Sequence, residues 1–485
     1  MRTLHADLTT AQQSASATPY MKLVFHSRDR ATTRTYETDD ATNRIVQVQQ
    51  AEGRYGSYAL ADGRGFVVSS IIRLQNGDNA LSNLDFKGYR VYIEWGFNTG
   101  SGNRASRAGP EFVISQEFVS SEGINYLELY TLNLWELANQ HFVNVGNVVS
   151  MSYTAGGANS TKVSHILMQL LGGGLLGSVQ QQDYVDGGGG DAWTDFTSEA
   201  KETGDVVDMF PAVPATNDAC YFGKTTKFDR LSIDLTQTIS SGSIGHDWEY
   251  SRGSGVWSAL SALTEAEGAT ANGHISLINT GIIVEAFDMP SDWATDTVNG
   301  VASMYWVRLR ITSASSPVTQ IQATLIFGGQ DFAFALDTSE GTQGDDYLPT
   351  YSTHVGSQLG PVVSDIIGYT LMGLRLREDG FHALFVDAAQ ASPDATYILT
   401  AGPHTFFIHT EGQQVTIPNR IVVVEANLDL GGATYSGQDD DATAQGEIGI
   451  IPQVVVSPEI GSDAAAVTLA TRIMTQIKRD KVHGR

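Results

Sequence analysis

Trp248-Glu249-Tyr250, Gly255-Val256-Trp257, Pro290-Ser291-Asp292-Trp293, Val298-Asn299-Gly300 and Tyr305-Trp306-Val307-Arg308-Leu309-Arg310 follow one another between residues 248 and 310. Four of the chain's seven tryptophans fall in this stretch, so its interior is unusually aromatic. The last run alternates, with Trp306, Arg308 and Arg310 against Val307 and Leu309, and a period of two marks a strand with two unlike faces. The stretch predicts a small β-sandwich over about residues 221–330, set inside a larger β-rich body.

The rest of the composition agrees. The 485 residues are 41% hydrophobic and 17% charged, with 50 Gly and only 13 Pro, which suits short strands joined by Gly and Asn/Asp turns. The fold class expected is mainly β with minor α (α+β): β-barrel-like units, the inserted sandwich and a few helices. Residues 1–145 form a first unit. Lys22–Phe25, Ile45–Val48, Phe66–Ile72, Tyr89–Phe97, Phe112–Phe118 and Asn125–Tyr130 read as strands, and Leu132–Gln140 as a short closing helix. Residues 146–220 and 331–395 form an α/β connecting region, with helices near Ser164–Leu171 and Leu359–Leu374 and a flexible linker at Asp186-Gly187-Gly188-Gly189-Gly190-Asp191. Residues 396–485 form a second barrel-like region, with strands at Thr396–Thr400, Thr405–His409 and Ile421–Ala426. It closes in a helix that Ser462 caps and that carries a Val467, Ala470, Ile473, Met474, Ile477 stripe. The glycines before and after the sandwich predict that it folds alone.

Charge excludes one class of partner. Asp and Glu number 54 against 29 Lys and Arg, a formal −25, and nucleic acid is held by neutralising its phosphates with cations. Stable nucleic-acid binding is not expected, although an acidic surface suits a conduit along which DNA slides. The N-terminus lacks an apolar signal segment, and no run of about 18 apolar residues exists to span a membrane, so a soluble protein made in the cytoplasm is expected.

The chemistry-bearing residues each have a bland reading. Cys220, within Ala219-Cys220-Tyr221-Phe222, reads as a small buried hydrophobe. His404 and His409 are an odd number apart on a strand, which separates them across its two faces. Asp439-Asp440-Asp441 lacks the alternating ligands of a Ca²⁺ loop and reads as a solvated acidic turn. Asp247 and Glu249 flank Trp248, and paired carboxylates beside an aromatic are the raw material of a glycosidase. No serine elbow or His-Glu-x-x-His run accompanies them, so no catalytic residue, metal ligand or cofactor is assigned. Trp248, Trp257 and Trp306 read as sandwich core. Trp293 also reads as core, but the turn-like Pro290-Ser291-Asp292 before it makes it the candidate ligand-binding residue, as a platform for a sugar ring.

A family resemblance enters through particular residues. Arg2-Thr3-Leu4 with Leu8 and Thr18-Pro19-Tyr20, then Phe86-Lys87-Gly88-Tyr89-Arg90-Val91, Glu94-Trp95-Gly96-Phe97, Phe112-Val113-Ile114-Ser115 and Glu122-Gly123, resemble the N-terminal part of tail hub (baseplate hub or minor tail) proteins of tailed bacteriophages. Asp218–Gly223 with Lys227-Phe228-Asp229 and the tryptophan series is similar to a sandwich that recurs in phage tail proteins, and Pro418–Val424 with the Ala-rich last helix also looks hub-like. The resemblance implies two tube-like β-barrels assembled as a homotrimer in the virion, at the tail tip, joining the tail tube to a spike or receptor-binding apparatus. The implied partners are the distal tail protein, the tape measure protein and spike or fibre proteins, with a host-surface glycan as a further ligand of the sandwich. The rival expectation is a carbohydrate-binding or carbohydrate-hydrolysing tail-associated protein.

Overall fold

The computed structural model describes residues 6–12, 17–53, 66–121, 123–140, 152–153, 162–185, 190–202, 204–238, 243–262, 277, 280–315, 320–337, 351–352, 357–368, 372–385, 418–425, 435–457 and 462–482. Over these residues the chain is mainly β with minor α. A short helix α1 (Ala6–Gln12) precedes β1 (Thr18–His26), β2 (Thr33–Glu37), β3 (Ile45–Gly53), β4 (Phe66–Gln75), β5 (Arg90–Thr99), β6 (Gly102–Arg107), β7 (Glu111–Ser121) and β8 (Ile124–Asn133). They form one antiparallel sheet in the order β2-β1-β5-β7-β8-β4-β3, with β6 beside β5. Every strand read in this region is present. Leu23, Phe25, Ile72, Leu74, Ile93, Leu127 and Leu129 point to one side, where Phe86 completes the core. Among the described residues the end strands β2 and β3 are not paired with each other. Helix α2 (Leu134–Gln140) follows directly, its first turn capped by Asn133, whose side-chain oxygen accepts from the Glu136 N–H at 2.8 Å.

Strand β9 (Ser152–Tyr153) and helix α3 (Val163–Leu171) lead to the sandwich. The residue that opens α3 is Lys162, which makes no side-chain cap; the expected cap Ser164 falls within the helix and Thr161 lies outside the described residues. The helix stops where three glycines begin. At Gly173, with φ +94°, an added Cβ would run into the backbone of Gly329 and Phe332, so close approach of two chains requires glycine there.

The sandwich starts earlier than the sequence suggested. Its strands are β10 (Ser178–Asp183), β11 (Ala192–Asp195), β12 (Val207–Asp208), β13 (Ala219–Lys224), β14 (Arg230–Gln237), β15 (Ser243–Ser251), β16 (Trp257–Ala259), β17 (Gly281–Ala286), β18 (Asp296–Val298), β19 (Val301–Ser315) and β20 (Gln322–Gly329). One sheet runs β11-β10-β13-β19-β15-β16 with β18 on β19, and the other runs β12-β20-β14-β17. The expected boundary at 221 therefore falls inside β13. Ser178-Val179-Gln180-Gln181-Gln182 carries no apolar alternation; it is a strand because β13 offers it a hydrogen-bonding edge, Gln180 opposite Tyr221 and Gln182 opposite Ala219. Between the sheets lie Phe222, Leu231, Ile233, Trp248, Val307, Leu309 and Ile326.

The second sheet is covered on its far side as well. Ile282, Leu325 and Phe327 share a core with α2, α3 and helix α4 (Leu359–Gly368), and with the sheet formed by β21 (Phe334–Asp337), β23 (Met372–Arg377) and β24 (Gly380–Phe385). The remaining short strand, β22 (Tyr351–Ser352), pairs with β9. Helix α4 ends six residues before the expected Leu374, which instead belongs to β23 and pairs with Ala383 of β24. Because this core is shared, removing residues 221–330 would strip apolar side chains from three helices.

At the C-terminal end β25 (Arg420–Glu425) pairs antiparallel with β26 (Ser436–Asp440) and parallel with β27 (Pro452–Ser457). Helix α5 (Ala442–Ile448) lies between β26 and β27, and α6 (Asp463–Val482) covers one face of the sheet. Ser462 caps α6 as expected, its hydroxyl accepting from Ala465 N–H at 3.1 Å. The buried face is Ala466, Leu469, Ala470, Ile473 and Met474, whereas Val467 from the expected stripe is 44% exposed. The expected strands at 396–400 and 405–409, and with them His404 and His409, lie outside the described residues, as do Gly187–Gly189 of the expected linker.

Candidate functional site

The tryptophans divide by strand face. Trp248 stacks on Phe222 between the two sheets, with centroids 5.9 Å apart. Trp293, the candidate ligand-binding residue, is placed in the core, 4% exposed. The turn at Pro290–Asp292 folds its ring inward among Phe228, Phe287 and Tyr305, and its indole N–H donates to the Trp306 carbonyl at 3.2 Å. Trp306 is fully buried in a small satellite core with Tyr221 and Val298. Its ring lies over Gly223, where an added Cβ would sit 2.5 Å from a ring carbon. Gly223→Ala is therefore expected to cost about 1–3 kcal/mol through overpacking, read as a lowered denaturation midpoint.

Trp257, expected in the core, is instead half-buried on the outer face of the longer sheet. Trp193 of β11 holds the matching position across the sheet, and both rings lean on Tyr221, at 5.3 and 5.4 Å. Between them runs a polar ladder. Arg308 stacks on Trp257 at 4.3 Å and donates to Tyr221 Oη at 3.3 Å and to Glu249 at 2.6 Å. Arg310 donates to both oxygens of Glu249, at 3.1 and 2.9 Å, and Tyr221 donates to Gln182. The strand register explains the grouping, since Gln180, Tyr221, Arg308 and Glu249 occupy one row across four strands. Burial disfavours ionising Glu249, but the hydrogen bonds and charges of Arg310 and Arg308 outweigh it and hold the carboxyl below its usual range. A carboxylate so clamped has no proton to give, which removes Glu249 as the general acid of a glycosidase. Asp247, 3.6 Å from Arg310, adds to the same cluster. Trp193, Gln180 and Gln182 escaped the sequence reading because only β-pairing brings them to this face.

A second constellation joins the first sheet to the sandwich. Arg90 Nη1 donates to Asp229 at 2.5 Å and to Asp331 at 2.6 Å, and Arg30 grips both oxygens of Asp331 at 2.6 and 2.7 Å. Arg230 pairs with Asp229 at 2.7 Å and donates to Tyr92 Oη and to the Glu378 and Asp379 carbonyls. Arg90, Asp229 and Arg230 are almost wholly buried. Burial opposes ionisation of Asp229, but Arg230 and Arg90 overcome it and hold its carboxyl far below the usual range. Residues drawn from positions 30, 90, 229, 230 and 331 thus lock two units that the sequence kept apart.

A third feature is an uncovered apolar face. On β27, Val455 turns toward α6, whereas Val454 and Val456 turn away and are each 61% exposed. Val422 and Val424 of β25 lie opposite them in register and are half-buried. The acidic run nearby is structural: Asp440 pairs with Arg420 at 2.7 Å, and Asp441 accepts from Ala444 N–H to cap α5. Cys220 is fully buried. Among the described residues no cluster of His, Cys, Asp and Glu has a metal-holding arrangement, and no helix is long and apolar enough to cross a membrane.

No family model and no curated protein matches the chain. Among solved structures, a chain in the six-fold symmetrised cryo-EM structure of the anti-feeding prophage (AFP) baseplate is 10% identical over 25% of this chain and 91% of its own, with a TM-score of 0.14. Similarity at that level carries no argument for fold or function.

Proposed function

We propose that this chain is a non-enzymatic structural component of a bacteriophage tail tip, a homotrimeric hub in the virion that links the tail tube to the distal spike or receptor-binding apparatus. The observation that carries an assembly role is the face of β25 and β27 on which, among the described residues, Val454 and Val456 are exposed beside the half-buried Val422 and Val424, because exposed apolar surface on a sheet marks a contact with another chain. The buried ion network at the seam supports it, since a module held by charges is fixed in direction. The formal −25 suits a channel that DNA passes without adhering. The hub resemblance supplies the place in the tail. Mass measurement and cryo-EM of native particles test this reading: three copies at the tail tip are expected, and a monodisperse monomer absent from virions overturns it. Val454→Asp with Val456→Asp is expected to leave stability within about 0.5 kcal/mol, as for exposed positions, while abolishing self-association in sedimentation.

A second reading rests on Trp193 and Trp257. Two half-buried indoles framing Tyr221 and a row of glutamine and arginine side chains could stack a sugar ring and bond its hydroxyls. Glycan-array binding by the purified chain, lost in Trp257→Ala with the fold retained, would favour it.

A further inference from the structure

Beside the seam a cleft of about 220 Å³ opens between β1, β2 and the segment that follows β17. Its wall is cationic. Lys22, Arg30, Arg90 and Arg107 line it against one carboxylate, Asp288, among the described lining residues. The hydroxyl-bearing Thr33 and Thr35 lie on the same wall.

Three nitrogens on these lining residues are buried without a hydrogen-bond partner: His26 Nε2, Arg30 Nε and Arg90 Nε. Their residues are 9%, 7% and 1% exposed, so these nitrogens lie behind the cleft wall, and the Arg30 and Arg90 charges act on a cleft ligand through their field. His26 is fixed in orientation. Its Nδ1 meets the Thr33 hydroxyl at 3.2 Å and its ring stands edge-on to Tyr92, and with Nδ1 accepting from Thr33 the opposite nitrogen carries the proton. Burial, together with the Arg90 and Arg30 charges, pushes the imidazole pKa down to about 3, so the ring is neutral.

The pattern of donors selects the ligand. Arg30 gives Nη2 to both oxygens of Asp331 and Nη1 to the Ser27 carbonyl, and Arg107 gives its Nε to Glu94 while stacking on Tyr92 at 4.7 Å. What lines the cleft is therefore a set of single donors of different direction: the Lys22 ammonium, the Thr35 hydroxyl and the outer edges of guanidinium groups. A planar carboxylate is best met by one fork, whereas a tetrahedral oxyanion accepts from many directions. At roughly 30 Å³ per water molecule the cleft exceeds the volume of a bare ion, leaving room for a small substituent.

We propose that this cleft is a binding site for a phosphate-class oxyanion, free or as a phosphomonoester. Calorimetry and thermal melting of the purified full-length chain test it, with sodium phosphate and glycerol phosphate as probes and sodium chloride at matched ionic strength as reference. Saturable binding and a raised melting temperature with phosphate but not chloride are expected. Tighter binding of glycerol phosphate identifies an esterified ligand, and equal binding the free ion. Lys22 is partly exposed, so Lys22→Gln is expected to fold and to weaken phosphate about tenfold. Asp288→Asn removes the one carboxylate facing the anion and is expected to tighten binding several-fold, a direction that no loss of structure produces. Phosphate acting no differently from chloride, or Asp288→Asn failing to tighten binding, overturns the proposal. Both measurements use the isolated chain and give the same answer whether or not it assembles in a tail.

Discussion

Asp229→Ala is expected to destabilise the chain by about 3–5 kcal/mol, the range for breaking a buried ion pair by removing one partner. The cost comes from what remains. Arg90 and Arg230, 1% and 0% exposed, both pair with this carboxylate, and without it Arg90 keeps its pair with Asp331 while Arg230 loses its carboxylate pair in a low-dielectric seam. A fall in the denaturant midpoint measures it. Adding Arg230→Met to Asp229→Ala should recover part of the loss, because a buried apolar side chain leaves no unpaired charge; a double variant less stable than the single would mean that Arg230 is held mainly by the Glu378 and Asp379 carbonyls. The same carboxylate sets an acid dependence. Its folded pKa lies below its unfolded value of about 3.8, so the stability it contributes is complete above about pH 4 and is lost as pH falls toward the folded value. Wild-type stability should therefore drop on acidification below pH 4, and Asp229→Ala should drop less.

Trp293→Ala is expected to cost about 3–5 kcal/mol and to unfold the sandwich at temperatures where the parent is intact. Three aromatic rings lose their common partner and the Trp306 carbonyl loses a donor. Calorimetric melting of the full chain, with Trp257→Ala alongside, separates the two faces: the half-buried Trp257 supports the outer ladder, and its loss should move the melting temperature far less. An unchanged melting temperature in Trp293→Ala would return that residue to the ligand-binding role its sequence context suggested.

Gly223, Trp293 and Trp257 mark the reach of local sequence. The alternation in Tyr305–Arg310 fixed a strand with Val307 and Leu309 inward and Arg308 and Arg310 outward, and the structure has it so. It could not say which neighbours β19 takes, and those neighbours decide that Glu249 lies under two arginines and that Tyr221 lies between two indoles. Trp293 stood between core and platform because a turn before a residue does not tell which way its side chain folds.

The chain's own sequence determined its class, nearly all strands of the first sheet, the Ser462-capped final helix and the aromatic weight of the sandwich, because period, caps and turn residues act within a few positions along the backbone. Tertiary structure alone decided that the glutamine run of β10 is a strand, that the sandwich shares a core with α2, α3 and α4, and that Arg30, Arg90, Asp229, Arg230 and Asp331 meet. The physical reason is separation. Arg30 and Asp331 are 301 residues apart, and no local rule links a charge to a partner that only the closing of the whole chain brings within hydrogen-bond reach.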